Sequence, residues 1–373
     1  MAFLKFLEGI RNPFFDWFFS LITHIGDETV FLVIALVVFW CISKKDGYYL
    51  LFVGFFGQVI NNLLKLVFRI PRPFVADPTL KPVDAAVERA VGYSFPSGHT
   101  QNIAGTLGTV AARTKRTWVK ILSVAVIVLV AFSRMYLGVH TPIDVLTSLG
   151  IALILVLALY PMFKTEERFE KCMPFLVIAA ILFSLAYMLY FPMFKNVPHD
   201  RANLQSGLEF AYMMAGCTIG LAVVHFVDSG FTKFDTRAPW YMQIVKLIVG
   251  FGIVIAIKEG LKIPLNFICG GNELIARMVR YFLMVAFAGA VWPITFKYFA
   301  KMRCESLEKL GEKFLSFFRK RDTDATLTEN TASVTAVRKK VRTTKAVVVE
   351  LPSHPVKKKR KSSWRTARKN KYK

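Results

Sequence analysis

The sequence predicts an all-α fold, a polytopic bundle of membrane-spanning helices. Three observations carry this. The chain of 373 residues is 54% hydrophobic, with 34 phenylalanines. Its apolar residues run in uninterrupted blocks, unlike the short alternating stretches of a soluble core. Nine of the blocks approach the roughly 20 apolar residues that a helix needs to cross a hydrocarbon slab about 30 Å thick.

Residues 1–27 read as an interfacial amphipathic helix. Lys5, Glu8, Arg11, Asn12 and Asp16 are too many polar groups for a lipid-facing span, while Phe14, Phe15, Trp17, Phe18 and Phe19 seek the membrane. No leader with a small-residue cleavage site precedes them, so the first span is expected to anchor the chain uncleaved. The nine blocks follow at 28–43, 47–68, 98–113, 117–137, 141–163, 173–194, 208–228, 240–259 and 275–299, the first and third of them short. The five cysteines are scattered and mostly lie inside apolar blocks with no CxxC spacing, which indicates neither a disulfide framework nor a structural metal site.

Residues 301–373 carry 22 Lys plus Arg against 7 Asp plus Glu. They read as a largely disordered basic tail. Behind nine spans such a tail is expected to be cytoplasmic and attracted to anionic lipid, and no nucleic-acid partner is expected. Lys44 and Lys45, Arg113 to Arg116, Lys164 to Lys171 and the tail all fall on one side of a nine-span bundle. The positive-inside rule makes that side the cytoplasm. The loops at 69–97, 138–140, 195–207 and 260–274 then lie outside.

Three stretches on that outer side hold groups that are costly in a membrane protein. "KLVFRIPRP" gives Lys65 and Arg72, "SFPSGHT" gives Ser97, Gly98 and His99, and "SRMYLGVHTPID" gives Arg134, His140 and Asp144. Each has a bland account taken singly: a snorkelling lysine, a loop arginine, a helix cap at Ser97, a capping box over Thr141 to Asp144. Together they form a phosphate site with a nucleophile. Lys65, Arg72 and Arg134 supply positive charge, with planar arginine forks that match phosphate oxygens. Ser97 and the amides around Gly98 open a helix, where free N–H groups favour an anion. Asp144, four residues past His140, can hold its imidazole in one tautomer. His99 is a second imidazole, placed to protonate a leaving oxygen.

These three motifs resemble, position for position, the signatures of the type 2 phosphatidic acid phosphatase superfamily, over roughly residues 28–162. The resemblance implies a catalytic core of about six helices at 28–163; the apolar blocks beyond it, which the resemblance does not cover, make 164–300 additional transmembrane helices. It further implies a metal-independent phosphatase with no cofactor, working through a phosphohistidine. By that analogy His140 attacks phosphorus, Asp144 orients it, and His99 protonates the leaving group and later activates water. Lys65, Arg72, Ser97, Gly98 and Arg134 stabilise the transferring phosphoryl group. The same constellation resembles vanadium-dependent haloperoxidases, whose members are soluble. A phosphotransferase with an acceptor other than water and a catalytically silent lipid-binding protein are the remaining alternatives.

A site at the outer ends of membrane helices implies an amphipathic substrate. Polyprenyl (undecaprenyl) diphosphate, phosphatidic acid, phosphatidylglycerophosphate and sphingoid phosphates are the candidates. The location expected is a bacterial plasma membrane with an extracytoplasmic site, the alternative being the endoplasmic reticulum membrane of a eukaryote. Lys258, Glu259, Lys262, Glu273, Arg277 and Arg280 gather at the outer ends of the last two spans and are expected to pair with one another or snorkel.

Overall fold

The computed structural model describes residues 1–87, 90, 92–190, 201–311, 313 and 316. They are helical, with no strand among the described residues. One compact unit runs over Met1–Cys304, and a second begins at Glu305, with 305–311 helical. Most of the basic tail lies outside the described residues, as does 191–200, the end of the predicted 173–194 span and the first part of the predicted outer loop at 195–207.

In chain order the helices are α1 (Ala2–Gly9), α2 (Pro13–Thr23), α3 (Glu28–Val37), α4 (Lys44–Phe68), α5 (Pro73–Ala76), α6 (Asp84–Val87), α7 (Gly98–Arg113), α8 (Thr117–Tyr136), α9 (Pro142–Leu159) and α10 (Glu166–Tyr190). Then come α11 (Arg201–Val227), α12 (Trp240–Gly260), α13 (Lys262–Ile268), α14 (Glu273–Ala286) and α15 (Phe296–Lys301). Among the described residues, seven stretches are long and apolar enough to cross a membrane. They contain α4, α8, α9, α10, α11, α12 and α14. The chain is a multi-pass membrane protein.

The two short predicted spans behave differently. The 28–43 block is α3 continued by a π-helical turn over Val38–Ile42, and it forms a pair with the α2 segment bent by 49°. The 98–113 block is α7, only 16 residues long and polar, with Gln101, Asn102, Thr106 and Thr109 all buried. Sixteen residues rise about 24 Å. A helix can be this short and polar because protein surrounds it: α7 packs on α4, α8 and α9. Asn102 accepts from Gln58 of α4 and donates to the Gly26 carbonyl. Thr106 and Thr109 return their hydroxyl protons to the carbonyls four residues back.

The predicted single interfacial helix is two. Asn12 caps α2 by accepting from the Phe15 amide at 3.0 Å, and Pro13 follows in the first turn, so the chain must restart its helix there. α1 buries Leu4 and Leu7 against Leu80. α2 lays Phe19 on Tyr136 of α8, with ring centroids 4.5 Å apart.

The largest apolar cluster unites the first half of the chain with the second. Trp40 donates to the Ala288 carbonyl at 2.8 Å, and Lys246 of α12 donates to the Trp40 carbonyl at 2.8 Å. At the end of the bundle that carries the basic loops, Lys44 meets Asp228 at 2.8 Å, Lys45 meets Glu166 at 2.5 Å and Arg113 meets Asp46 at 2.5 Å.

Small residues set the contact between α11 and α14, as is usual where helices pack without a hydrophobic driving force. A β-carbon at Gly216 would stand 2.1 Å from the Met278 carbonyl oxygen, which only a backbone shift could relieve. Gly216→Val should therefore lower the thermal unfolding midpoint in detergent, by the equivalent of about 1–3 kcal/mol. Gly252→Val, which meets open space, should leave that midpoint in place.

Candidate active site

The site is built where α4 and α8 end and α7 and α9 begin. After Tyr136 the chain turns through Gly138 at φ 77°, a left-handed conformation that suits glycine, and returns so that the amides of Val139 and His140 both point at the Arg134 carbonyl at 3.3 Å. Arg11, in the link between α1 and α2, braces this turn. Its Nε donates to the Tyr136 carbonyl at 2.9 Å and its Nη1 to the Lys81 carbonyl.

α9 then starts with a capping box. Thr141 accepts from the Asp144 amide while Asp144 Oδ2 accepts from the Thr141 amide at 2.8 Å, with Pro142 in the first turn. The same carboxylate oxygen accepts from Ser94 Oγ at 2.5 Å and lies 3.3 Å from His140 Nδ1. His140 and Asp144 are 1% and 2% exposed, so the pair is shut off from bulk water. On the other edge of the ring, Nε2 stands 2.7 Å from Arg72 Nη1. These contacts fit one neutral tautomer: Nδ1–H donates to Asp144, and the Nε2 lone pair faces the cations.

Arg72, Arg134 and Lys65 all act electrostatically on that ring. Arg72 is fixed by donating to the carbonyls of Gly92 at 3.0 Å and Val139 at 3.1 Å. Arg134 donates from Nη1 to Thr23 Oγ1 at 2.7 Å, but its Nε and Nη2 are buried with no hydrogen-bond partner. Lys65 lies over the start of α7, where a β-carbon at Gly98 would come within 3.9 Å of Nζ. Ser97 caps α7 and is fully buried; its amide donates to the Asp144 carbonyl at 3.2 Å and its Oγ accepts from Thr100 at 3.0 Å. His99 Nε2 stands 2.9 Å from Asp27 Oδ1, an ion-pair contact that lacks the alignment of a hydrogen bond. All eight predicted residues thus converge on one end of the bundle.

Three members of the constellation escaped the sequence reading: Ser94, Asp27 and Thr23. Ser94 opens the "SFPSGHT" stretch itself, and Thr23 and Asp27 bracket "HIG" just ahead of α3. The charges gathered at the ends of the last two predicted spans pair only in part as expected. Lys258 meets Glu259 at 3.4 Å, whereas Arg277 reaches Glu209 of α11 at 2.9 Å.

Buried donors without partners beside an unprotonated nitrogen can receive an anion within reach of that nitrogen. Comparison with known proteins agrees with that chemistry. The profile of the PAP2 superfamily matches residues 46–168. That of the PAP2 superfamily phosphatase transmembrane extension matches residues 212–303.

The chain belongs to the PAP2 superfamily. Its PAP2 core holds all eight predicted residues, between α4 and α9, and the extension covers α12, α13 and α14 with most of α11. The probable sphingosine-1-phosphate phosphatase of Dictyostelium discoideum is 30% identical over 230 residues, 58% of this chain and 54% of that one. Human sphingosine-1-phosphate phosphatase 2 is 23% identical over 58% of this chain and 54% of its own length. The undecaprenyl-diphosphatase BcrC of Bacillus subtilis (strain 168) is 37% identical over 30% of this chain and 55% of its own. The chain thus spans about half the length of these curated relatives. No solved structure matches it.

His140 lies in the loop between α8 and α9. Burial first, and then the charges of Arg72, Arg134 and Lys65, hold its imidazole well below the ordinary 6.5. The depressed value means the neutral form persists as pH falls through 6.5. In ¹⁵N-histidine NMR of the protein in micelles, the His140 ring should keep its neutral shifts at pH 6, and protonated shifts there would contradict this electrostatic account.

Proposed function

We propose that this PAP2 protein hydrolyses a lipid phosphate or diphosphate through a phosphohistidine at His140. The observation that carries the reading is the His140 ring held between the Asp144 carboxylate on Nδ1 and the Arg72 guanidinium on Nε2. In the first step the Nε2 lone pair forms a bond to phosphorus as the bond to the leaving oxygen breaks. His99 gives that oxygen a proton, with Asp27 Oδ1 standing 2.9 Å from its Nε2. In the second step His99 takes a proton from water, whose oxygen attacks phosphorus, and the P–N bond returns its electron pair to Nε2. Asp144 holds the Nδ1 proton throughout. The unpartnered donors of Arg134 bind the phosphoryl oxygens, and Lys65 with the opening amides of α7 completes the cradle.

The relatives named for sphingosine-1-phosphate and for undecaprenyl diphosphate support a substrate with a long hydrocarbon portion and a terminal phosphate. Purified protein should release inorganic phosphate from at least one member of a panel comprising sphingoid phosphates, phosphatidic acid, phosphatidylglycerophosphate and polyprenyl diphosphates. His140→Ala should fall to the uncatalysed background while eluting from size exclusion as the parent does, because a lost nucleophile is not replaced by its neighbours. Near-normal release by that variant removes His140 from the mechanism.

The site end is proposed to face away from the cytoplasm, since the opposite end holds the loops with Lys44, Lys45 and Arg113 to Arg116. A bacterial plasma membrane is the location proposed; the chain contains no Asn-x-Ser/Thr acceptor. On a cysteine-free background, Ala85→Cys, at the site end, should react with an impermeant thiol reagent in intact cells. Lys115→Cys, at the other end, should react only after permeabilisation. Both residues are exposed, so the opposite pattern would invert the orientation.

A further inference from the structure

The residues from Thr23 to Asp27 end α2, turn and open α3, and they lie ahead of the stretch that the PAP2 profile matches. This turn meets the site at three points. Thr23 is buried and accepts from Arg134 Nη1 at 2.7 Å. Gly26 rests directly on the first turn of α7. A β-carbon there would stand 3.0 Å from both the Cβ and the carbonyl oxygen of His99, and the Gly26 carbonyl accepts from Asn102 at 3.3 Å. Asp27 sits between two imidazoles: its Oδ1 is 2.9 Å from His99 Nε2, and its Oδ2 is 3.1 Å from His24 Nδ1. The side chains are 40% exposed at His24, 25% at Asp27 and 19% at His99, so the three lead inward from the surface.

The Asp27 contact decides which nitrogen of His99 is left for a substrate. Nε2 is buried against a carboxylate oxygen, and a lone pair there would be set against negative charge, so Nε2 is the nitrogen that keeps a proton. The contact is close but off-line, as such contacts often are before a substrate draws the groups together. Nδ1 remains for the reaction. The arrangement mirrors His140 and Asp144 with the nitrogens exchanged: there the carboxylate faces Nδ1 and leaves Nε2 to phosphorus. Burial, Arg134 and Lys65 oppose a positive charge on the His99 ring, and Asp27 favours it. A phosphoryl anion bound by those two cations would offset their effect.

We propose that the turn from Thr23 to Asp27 is a positioning element for the acid of the reaction, in which Asp27 holds the Nε2 proton of His99 through both steps and Nδ1 carries the proton that moves. The ring is doubly protonated before the first step. Nδ1 then gives its proton to the oxygen that leaves phosphorus, and the neutral ring stays bonded to Asp27 through Nε2–H. In the second step Nδ1 takes a proton from the attacking water, which restores the starting state. His24 secures the outer oxygen of the carboxylate and so keeps Oδ1 turned toward the ring, while Gly26 lets the turn approach α7 closely enough for that contact. The proposal rests on the phosphohistidine reading and assigns its acid an atom and a support.

Two measurements test it. In the first, Asp27→Asn is assayed on hexadecyl phosphate, whose alkoxide leaves only with a proton, and on 4-nitrophenyl phosphate, whose phenolate leaves without one. The ratio of kcat/KM for the alkyl over the nitrophenyl ester should fall at least about tenfold, since acid catalysis supplies roughly 10²–10⁴-fold. His99→Asn should lower the ratio in the same direction. Asp27→Asn added to it should lower the ratio by less than about twofold more, because the carboxylate acts through the ring. A ratio unmoved by Asp27→Asn, or a full further fall in the double variant, overturns the proposal. The second measurement uses the unaltered protein, so folding of a variant does not enter. In ¹⁵N-histidine NMR of the protein in micelles, the neutral His99 ring should carry its proton on Nε2, and a proton on Nδ1 instead overturns the proposal. Release of phosphate from neither ester would count against the phosphatase reading, while the NMR measurement would still decide whether Asp27 holds Nε2.

Discussion

The carboxylate of Asp144 is the interaction on which the rest of the site depends. One oxygen closes the capping box that starts α9, receives the Ser94 hydroxyl and faces Nδ1 of His140. Helix geometry and tautomer are therefore set by the same atom. The backbone of the residue extends this control, because the Asp144 carbonyl accepts from the Ser97 amide and from Ser148 Oγ, and Ser148 also donates to the Ser97 carbonyl. The start of α7 and the start of α9 are tied at the point where amides and imidazole must face the same anion. A loop could carry the same residue types, but it would not hold them at fixed separation against the pull of three neighbouring cations.

Those cations explain why the site is buried in protein. Arg134 leaves two donors unmade, and Arg72 spends one of its donors on the nitrogen that is to act. Taking guanidinium groups out of water costs several kcal/mol each unless an anion answers them. In the mechanism proposed above the compensation lies in the ligand, since a bound phosphoryl group would satisfy those donors. The fold can hold the unsatisfied state because Thr23, Val139 and Gly92 secure the other edges of the same two arginines.

Much of this was legible in the sequence, for reasons that differ by residue. The eight predicted residues sit within short motifs at helix ends, where Pro142, Gly98 and the Thr141 to Asp144 box give strong local signals. Membrane helices α8 to α12 follow from apolar runs alone. What was not legible depends on contacts across the chain. Asp27 reaches His99 over more than seventy positions, and Ser94 reaches Asp144 over fifty. The break at Asn12 and Pro13 was written in the sequence as a cap followed by a proline, yet the aromatic density of Phe14 to Phe19 made the segment read as one continuous helix. The helices after α9 carry no catalytic motif, and their relation to the core rests on pairs such as Trp40 with Ala288 that no local pattern announces.

The brace formed by Arg11 ties the chain's first helices to its chemistry. Its guanidinium holds the carbonyls of Tyr136 and Lys81 at once, and so joins the link between α1 and α2, the loop after α5 and the last turn of α8 in a single knot. The N-terminal helices behave in this respect as foundations. A fusion partner or a truncation that pries Arg11 from its seat would loosen the turn on which His140 is mounted, from a distance at which no substrate is touched.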